Sequence, residues 1–219
     1  MIESTYLSDT RSGYDAIAPS YAETFRSELD DSPLDRAMLA GFAELVSDRH
    51  PDGRLIEVGS GPGHVAAYLQ SLGMSIRGID LSAAMVDLAR REYPDVTFDV
   101  GEMGALDAAD DSLAGLVAWY SIIHVPPAHL PPVFTEFHRV LATGGHLLVA
   151  FQVGDDVVHH DEAFGHQVSL DFRRLQPSAV AALLDEAGFD LTAELVRAPT
   201  PASAATKIPQ ACLIACKRP

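Results

Sequence analysis

Hydrophobic and polar positions alternate along most of the chain in blocks that are typical of a parallel α/β sheet. Short runs rich in Val, Ile and Leu predict strands, and the segments between them carry apolar residues at helical spacing. The run at 113–120 is almost wholly apolar, which predicts a strand covered on both faces at the centre of the sheet. The predicted strands are 54–58, 75–79, 96–100, 113–120, 146–153, 190–198 and 210–217.

Two regions depart from this alternation. Segments 14–25 and 32–46 have helical spacing before the first strand, and Pro19 predicts a break in the first of these helices. Residues 154–169 are polar and rich in histidine. The sequence therefore predicts a single domain over 1–219, divided into an N-terminal helical cap at 1–50 and a core at 51–219 with a flap or insert at 154–170.

The composition is that of a soluble globular protein with an excess of acidic groups. Of its 219 residues, 47% are hydrophobic, a content typical of one folded domain. The 15 Lys and Arg against 31 Asp and Glu give a net charge of −16, which repels nucleic-acid phosphates and anionic membranes. We expect neither as a partner. The first residues lack a secretory pattern and the apolar run at 113–125 is too short to span a bilayer, so we expect a cytoplasmic protein.

The strongest local signal is a glycine-rich turn between the first strand and the following helix. The sequence reads LIEVGSGPGH, with Gly59, Gly61 and Gly63 alternating after Glu57. Glycine permits positive φ and close approach of the backbone to a ligand, so this turn predicts a cofactor site. A dinucleotide fingerprint would require a third glycine where this chain has His64, which disfavours an NAD(P)-dependent oxidoreductase.

Further segments follow in a characteristic order. After EVGSGPG come GIDLS, ending the second strand in Asp80, then FDVGEMGAL, AWYSIIHV and LATGGHLLVAF. This ordered set resembles class I S-adenosylmethionine-dependent methyltransferases, in the type 11-like branch that acts on small molecules. The resemblance implies a Rossmann-like, seven-stranded, mostly parallel sheet with helices on both faces, an antiparallel last strand and an N-terminal helical cap.

The resemblance also implies roles for individual residues. Asp80 would accept hydrogen bonds from the ribose hydroxyls, Glu102 and Met103 would meet the adenine, and Tyr14 and Tyr21 would close over the methionine moiety. The alternatives are a carboxylate stabilised by the helix dipole for Asp80 and ordinary core packing for the tyrosines. The predicted cofactor-binding residues are Tyr14, Tyr21, Glu57, Gly59, Ser60, Gly61, Gly63, Asp80, Leu81, Glu102, Met103, Trp119 and Tyr120.

His124 is the candidate catalytic residue. It follows the fourth strand, at the sheet edge where open α/β folds bind substrates, and histidine can take a proton from a hydroxyl or amine at neutral pH. The alternative is a loop histidine that orders the following turn. No metal site is predicted, because the adjacent His159 and His160 of an extended chain point to opposite faces and make a poor joint site. The segment, which also contains His166, is predicted to be a substrate-facing flap or a solvated loop.

The predicted function is methyl transfer from S-adenosyl-L-methionine to an oxygen or nitrogen nucleophile of a small molecule by in-line displacement. The fourth strand lacks the Asp/Asn-Pro-Pro-Tyr/Phe sequence of enzymes that methylate adenine or glutamine. Two alternatives remain open, namely a protein that binds S-adenosylmethionine or S-adenosylhomocysteine without methylating anything, and an NAD(P)-dependent oxidoreductase. The identity of the methyl acceptor and the oligomeric state are not predicted.

Overall fold

A seven-stranded sheet forms the centre of the protein. The structure is a computed structural model, and it describes residues 5–199 and 208–219. The strands are β1 (Arg54–Val58), β2 (Ser75–Asp80), β3 (Thr97–Val100), β4 (Leu113–Trp119), β5 (Leu141–Gln152), β6 (Val157–Ala163), β7 (His166–Arg173), β8 (Phe189–Arg197) and β9 (Gln210–Lys217). The α-helices are α1 (Thr5–Phe25), α2 (Pro33–Arg49), α3 (His64–Ser71), α4 (Ala83–Glu92), α5 (Leu130–Val140) and α6 (Pro177–Glu186).

The topology confirms the predicted fold class. The strand order is β3-β2-β1-β4-β5-β9-β8, and β9 pairs antiparallel with both of its neighbours while the other pairs are parallel. The loop predicted between the last two strands lies mostly at 200–207, outside the described residues. Among the helices of the described parts, none is both long and apolar enough to cross a membrane.

The core lies on both faces of the sheet around β4, all of whose residues are buried. On one face, Phe134 and Phe137 of α5 are fully buried together with residues of α6. On the other face, Phe42 and Val46 of α2 are buried beside Leu69 of α3. Each such side chain contributes about 1.5–3 kcal/mol when removed from water. This double covering explains why the β4 sequence is apolar throughout.

The fifth strand begins earlier than the sequence predicts. The sequence predicts a strand that starts at His146, directly after Gly144 and Gly145, but β5 begins at Leu141. The glycines lie in an irregular stretch of the strand, because Leu113 pairs with Leu141 and Gly115 with His146. Gly144 has φ +77°, so a bulge inside a strand accommodates what resembles a turn in the sequence.

The first helix continues through Pro19, so the predicted break there is wrong. A proline removes one main-chain hydrogen bond and favours a kink, but tertiary packing can hold the helix on both sides of it. Ile17 and Ala18, directly before the proline, are buried at 3% and 0% exposure. The unbroken helix keeps Tyr14 and Tyr21 on one face, with their ring centroids 5.6 Å apart.

The segment predicted as a flap or insert forms a β-hairpin outside the main sheet. Strands β6 and β7 pair antiparallel with each other, and the hairpin joins the core next to a bridge between Val153 and Leu175. Leu170 of β7 packs on Gly13 of α1, where a Cβ atom would lie 2.7 Å from the leucine side chain. We call α1 and the β6–β7 hairpin together the roof. The division into cap, core and flap stays a prediction.

Candidate active site

Two adjoining cavities lie between the roof and the carboxyl ends of β1, β2 and β4. Cavity A contains Asp80, Leu81, Glu102, Met103 and His124 in its wall. Cavity B reaches from the glycine loop to the hairpin. The two share the lining residues Tyr14, Tyr21, Gly59, Gly61, Trp119 and Tyr120. This is the edge at which open α/β sheets bind ligands.

The three glycines of the loop adopt positive φ but serve different purposes. Gly61 has φ +51° and no atom within 4 Å of a Cβ position, so its backbone is open to both cavities. Gly59 is closed on one side, because a Cβ there would lie 2.3 Å from that of Ser121. Gly63 lines neither cavity; it precedes α3 with φ +91°, and its Cβ would meet the Phe98 ring at 2.5 Å.

Asp80 is held by backbone amides at the end of β2. The amide of Gly61 donates to Oδ2 at 2.7 Å, and that of Ser82 donates to Oδ1 at 2.8 Å. A carboxylate has about four lone-pair positions, so each oxygen can accept one more hydrogen bond. Burial raises the pKa of Asp80 to about 6, against the opposing effect of these two amide bonds. The group therefore remains ionised, and an acceptor, at neutral pH.

Polar atoms without hydrogen bonds converge near the glycine loop. Within the described residues these include Glu57 Oε2, Ser60 Oγ, Trp119 Nε1 and Ser121 Oγ, all buried. Glu57 is only 2% exposed, and burial raises the pKa of its carboxyl well above the usual value. Buried polar atoms without a hydrogen bond are costly and rare in proteins. A cluster of them is therefore consistent with a site that binds a polar ligand. Glu57 and Ser60 line cavity B, not cavity A.

Asp15 of α1 is a site component that the sequence analysis missed. Its carboxylate accepts hydrogen bonds from the Ser82 hydroxyl at 2.6 Å and from the Ala84 amide at 3.1 Å. Ser82 is the N-cap of α4, and its hydroxyl accepts a hydrogen bond from the amide of Met85. The first turn of α4 thus attaches the roof beside Asp80. The contact joins residues 67 positions apart, so no local pattern reveals it.

Tyr120 connects the shared wall to a buried ion pair. It has φ +49°, a left-handed conformation that costs a non-glycine residue energy and clusters at functional sites. Its hydroxyl accepts a hydrogen bond from Arg197 at 3.3 Å, and Arg197 also donates to Asp35 at 2.9 Å. Asp35 is 3% exposed and its pKa is raised by burial. The sequence analysis missed both charged residues, which lie far apart in the chain.

The imidazole of His124 is engaged at both nitrogens. Nδ1 lies 2.9 Å from the main-chain carbonyl oxygen of Asp171 in β7, and Nε2 lies 2.8 Å from the hydroxyl of Tyr14. Burial lowers the pKa of His124 to about 4, so the ring is neutral at pH 7. A carbonyl can only accept, so Nδ1 carries the proton and Nε2 accepts from the Tyr14 hydroxyl.

The three histidines of the hairpin do not form a cluster with one another. The His159 ring faces the Asp171 carboxylate at 2.8 Å, and His160 stacks edge-on against Phe172 in the wall of cavity B. Arg173 donates to Asp171 and to the carbonyl of His124. His166 is exposed at the start of β7. In residues 5–199 and 208–219, no group of three His, Cys, Asp or Glu side chains is arranged to hold a metal ion.

The core also matches known proteins in sequence. A family model described as a methyltransferase domain matches residues 55–145, which include the glycine loop, Asp80, Glu102 and His124. Residues 55–145 thus match a methyltransferase domain, and the solved structures that share the fold include S-adenosylmethionine-dependent methyltransferases. The cofactor of these enzymes is S-adenosylmethionine, and the matched segment here carries its glycine loop and acidic strand ends at the same sheet edge as both cavities.

The individual relatives of this chain differ in what their names say they act on. It is 29% identical over 149 residues, or 66% of the chain, to demethylmenaquinone methyltransferase of Chlorobaculum parvum, and it spans 60% of that protein's length. Its fold resembles magnesium protoporphyrin IX methyltransferase of Synechocystis with bound S-adenosylmethionine (TM-score 0.71, 14% identity, 99% of both chains). It also resembles the 1,6-didemethyltoxoflavin-N1-methyltransferase of Burkholderia thailandensis with S-adenosylhomocysteine (TM-score 0.63, 18% identity, 92% and 91% of the chains).

Proposed function

We propose that the protein transfers a methyl group from S-adenosylmethionine to an oxygen or nitrogen nucleophile of a small aromatic molecule. One observation carries this proposal: the cavity beside Asp80 shares six lining residues with an adjoining cavity walled by aromatic side chains. A cofactor and an acceptor can therefore lie side by side under one roof. The sequence-derived relatives, which include demethylmenaquinone methyltransferases, are compatible with an aromatic acceptor.

The residues of cavity A suit the nucleoside part of the cofactor. The free lone pairs of Asp80 would accept from the ribose hydroxyls, and Leu81, Glu102 and Met103 would surround the adenine. The buried, unpaired Glu57 Oε2 lies on the cavity B side, where it would accept from the cofactor ammonium group. Tyr14, Tyr21, Trp119 and Tyr120 line both cavities and would enclose the methionine moiety.

Cavity B suits a planar apolar acceptor. Its walls contain aromatic rings from the roof, Tyr21 and Phe25 of α1 and Phe164 and Phe172 of the hairpin. Such rings favour flat, apolar ligands through stacked and edge-on contacts. Arg197 and two glutamines add polar atoms to the wall of the cavity, where they would orient polar substituents.

The chain would accelerate the reaction mainly by positioning. Bound S-adenosylmethionine supplies an activated methyl group, so the protein needs to align the acceptor and exclude water. The roof is placed to do both, because α1 lines both cavities and the hairpin lines cavity B. Where the nucleophile carries a proton, a neighbouring group must take it; His124, the candidate base of the sequence, lines cavity A only.

Calorimetric titration with S-adenosylmethionine and S-adenosylhomocysteine tests the cofactor part. We expect micromolar binding of both, weakened about 10- to 100-fold by Asp80→Ala, since charged hydrogen bonds contribute roughly 1.5–3 kcal/mol. Asp87→Ala is the matched control, because Asp87 lies on the neighbouring helix α4 with a 64% exposed side chain. Binding of NADH alone, or equal effects of both substitutions, would contradict the assignment.

A turnover assay tests the acceptor part. The protein is incubated with S-adenosylmethionine and a panel of phenols and aromatic amines, and formation of S-adenosylhomocysteine is measured. We expect turnover of planar aromatic acceptors and none of aliphatic alcohols of similar size. Cofactor binding without turnover of any aromatic acceptor would indicate a binding protein instead.

A further inference from the structure

We propose that Tyr14 is the catalytic residue that meets the proton-bearing atom of the acceptor, and that His124 is a positioning residue acting through it. This inference rests on the proposed function, because it assigns roles within the same site. It differs from the sequence-based interpretation, in which His124 itself is the base and Tyr14 only covers the cofactor.

The imidazole of His124 has no nitrogen free to meet a ligand. Both nitrogens of His124 are engaged, Nδ1 with the carbonyl oxygen of Asp171 at 2.9 Å and Nε2 with the Tyr14 hydroxyl at 2.8 Å. The ring is also enclosed by aromatic side chains, with the Tyr14 and Phe172 centroids 5.3 Å and 4.8 Å away. An acceptor could reach Nε2 only by displacing Tyr14. The basic nitrogen is therefore not available to a ligand in this arrangement.

The hydrogen bonds of this pair run in a fixed direction. Because the carbonyl of Asp171 can only accept, it fixes His124 as the tautomer with the proton on Nδ1. The Tyr14 hydroxyl must then donate to Nε2, which leaves the lone pairs of its oxygen for another partner. Tyr14 lines both cavities, whereas His124 lines only cavity A. Tyr14 is thus the member of this pair that lines both the cofactor cavity and the acceptor cavity.

These contacts define a balanced proton transfer. As the acceptor oxygen or nitrogen uses its own electron pair to form the new bond to carbon, its proton passes to Tyr14 Oη. The original proton of Tyr14 passes at the same time to His124 Nε2. The tyrosine stays neutral throughout, in keeping with the burial that raises its pKa. The imidazolium then returns the proton to water, because burial gives it a pKa of about 4.

The charged groups near His124 belong to the hairpin. Arg173 donates to the carbonyl oxygen of His124 at 3.0 Å, and its positive charge disfavours imidazolium. The Asp171 carboxylate has the opposite effect but is itself paired with Arg173 and with His159. Asp80 faces Tyr14 from β2 and disfavours a tyrosinate. The surroundings therefore keep both members of the pair neutral at rest.

Matched probe ligands test the assignment without a known substrate. We would titrate the protein, saturated with S-adenosylhomocysteine, with 2-naphthol and with 2-methoxynaphthalene, which lacks the hydroxyl proton. We expect naphthol to bind about five-fold more tightly, as for one hydrogen bond of roughly 1 kcal/mol. Tyr14→Phe should abolish this preference. Tyr68→Phe should preserve it, because Tyr68 lines neither cavity.

Substitutions of His124 separate positioning from direct contact. We expect His124→Gln, whose side-chain oxygen can still accept from Tyr14, to keep the naphthol preference, and His124→Leu to lose it. Histidine ¹⁵N NMR should detect the Nδ1–H tautomer of His124 and a higher pKa in Tyr14→Phe, since the lost bond stabilises the neutral ring.

Three results would overturn the inference: equal wild-type affinities for the two naphthalenes, a preference that survives Tyr14→Phe, or an Nε2–H tautomer. If the wild-type protein did not bind S-adenosylhomocysteine at all, the proposed function would be refuted instead. The NMR measurements on the ligand-free protein would still test the hydrogen bond between Tyr14 and His124.

Discussion

Two glycines with nearly equal φ differ in what a side chain at their position would meet. Gly63 and Gly73 have φ of +91° and +90°, but a Cβ on Gly63 would meet the Phe98 ring whereas one on Gly73 would meet nothing within 4 Å. We expect Gly63→Ala to lower the free energy of unfolding by roughly 2–4 kcal/mol and Gly73→Ala by about 1 kcal/mol. Urea denaturation measures both. Equal losses would mean that strain alone sets the cost.

The carboxyl of Asp80 also predicts a pH dependence of cofactor affinity. Burial raises its pKa to about 6, and only the ionised form accepts two hydrogen bonds from ribose hydroxyls without donating. Affinity for S-adenosylhomocysteine should therefore fall as the pH drops from 7 to 5. Calorimetry at several pH values measures this. The Asp80→Asn variant should bind S-adenosylhomocysteine more weakly, but because asparagine does not titrate, its affinity should not change between pH 7 and 5. If affinity falls with pH as steeply in the variant as in the wild type, the effect belongs to another group.

Asp15 fastens helix α1 to the first turn of α4 by two hydrogen bonds. It accepts from the Ser82 hydroxyl and from the Ala84 amide, and the amide is one of the main-chain donors that a helix N-terminus leaves unsatisfied. We expect Asp15→Ala to cost about 1 kcal/mol of stability, to speed hydrogen exchange in α1 and to weaken S-adenosylhomocysteine binding. Glu23→Ala is the control, because Glu23 lies on the same helix with a 78% exposed side chain. Equal exchange in both variants would contradict this role.

The sequence predicts correctly those helices and strands whose formation depends mainly on residues close together in the chain. The apolar runs gave the strands of the main sheet, and Ser82 is the N-cap that its position indicates. Two elements were misjudged, because packing and pairing with distant residues carry α1 through Pro19 and draw Leu141 into β5. Tertiary contacts also decide the unforeseen parts of the site. Tyr14 meets His124 across 110 positions and Asp35 meets Arg197 across 162.

At the scale of the whole molecule, the hairpin is separable from the sheet. Its two strands pair only with each other among the described residues, and it leaves and rejoins the core beside the Val153–Leu175 bridge. Replacing 155–174 with a short Gly-Ser linker should therefore keep the main fold with a lower melting temperature. We expect S-adenosylhomocysteine binding to weaken but persist, and 2-naphthol binding to be lost with the wall of cavity B. Calorimetry and circular dichroism would measure this; unfolding of the sheet would contradict separability.

The close packing of Leu170 on Gly13 has a kinetic consequence. With no side chain at Gly13, the hairpin lies directly on the backbone of α1, and both are tied to the same imidazole through Asp171 and Tyr14. Neither half can swing away without breaking a contact of the other, so we expect them to open as one body. Ligands would then enter and leave both cavities at the rate of this one opening motion. We expect release of S-adenosylhomocysteine to be the rate-limiting step of turnover.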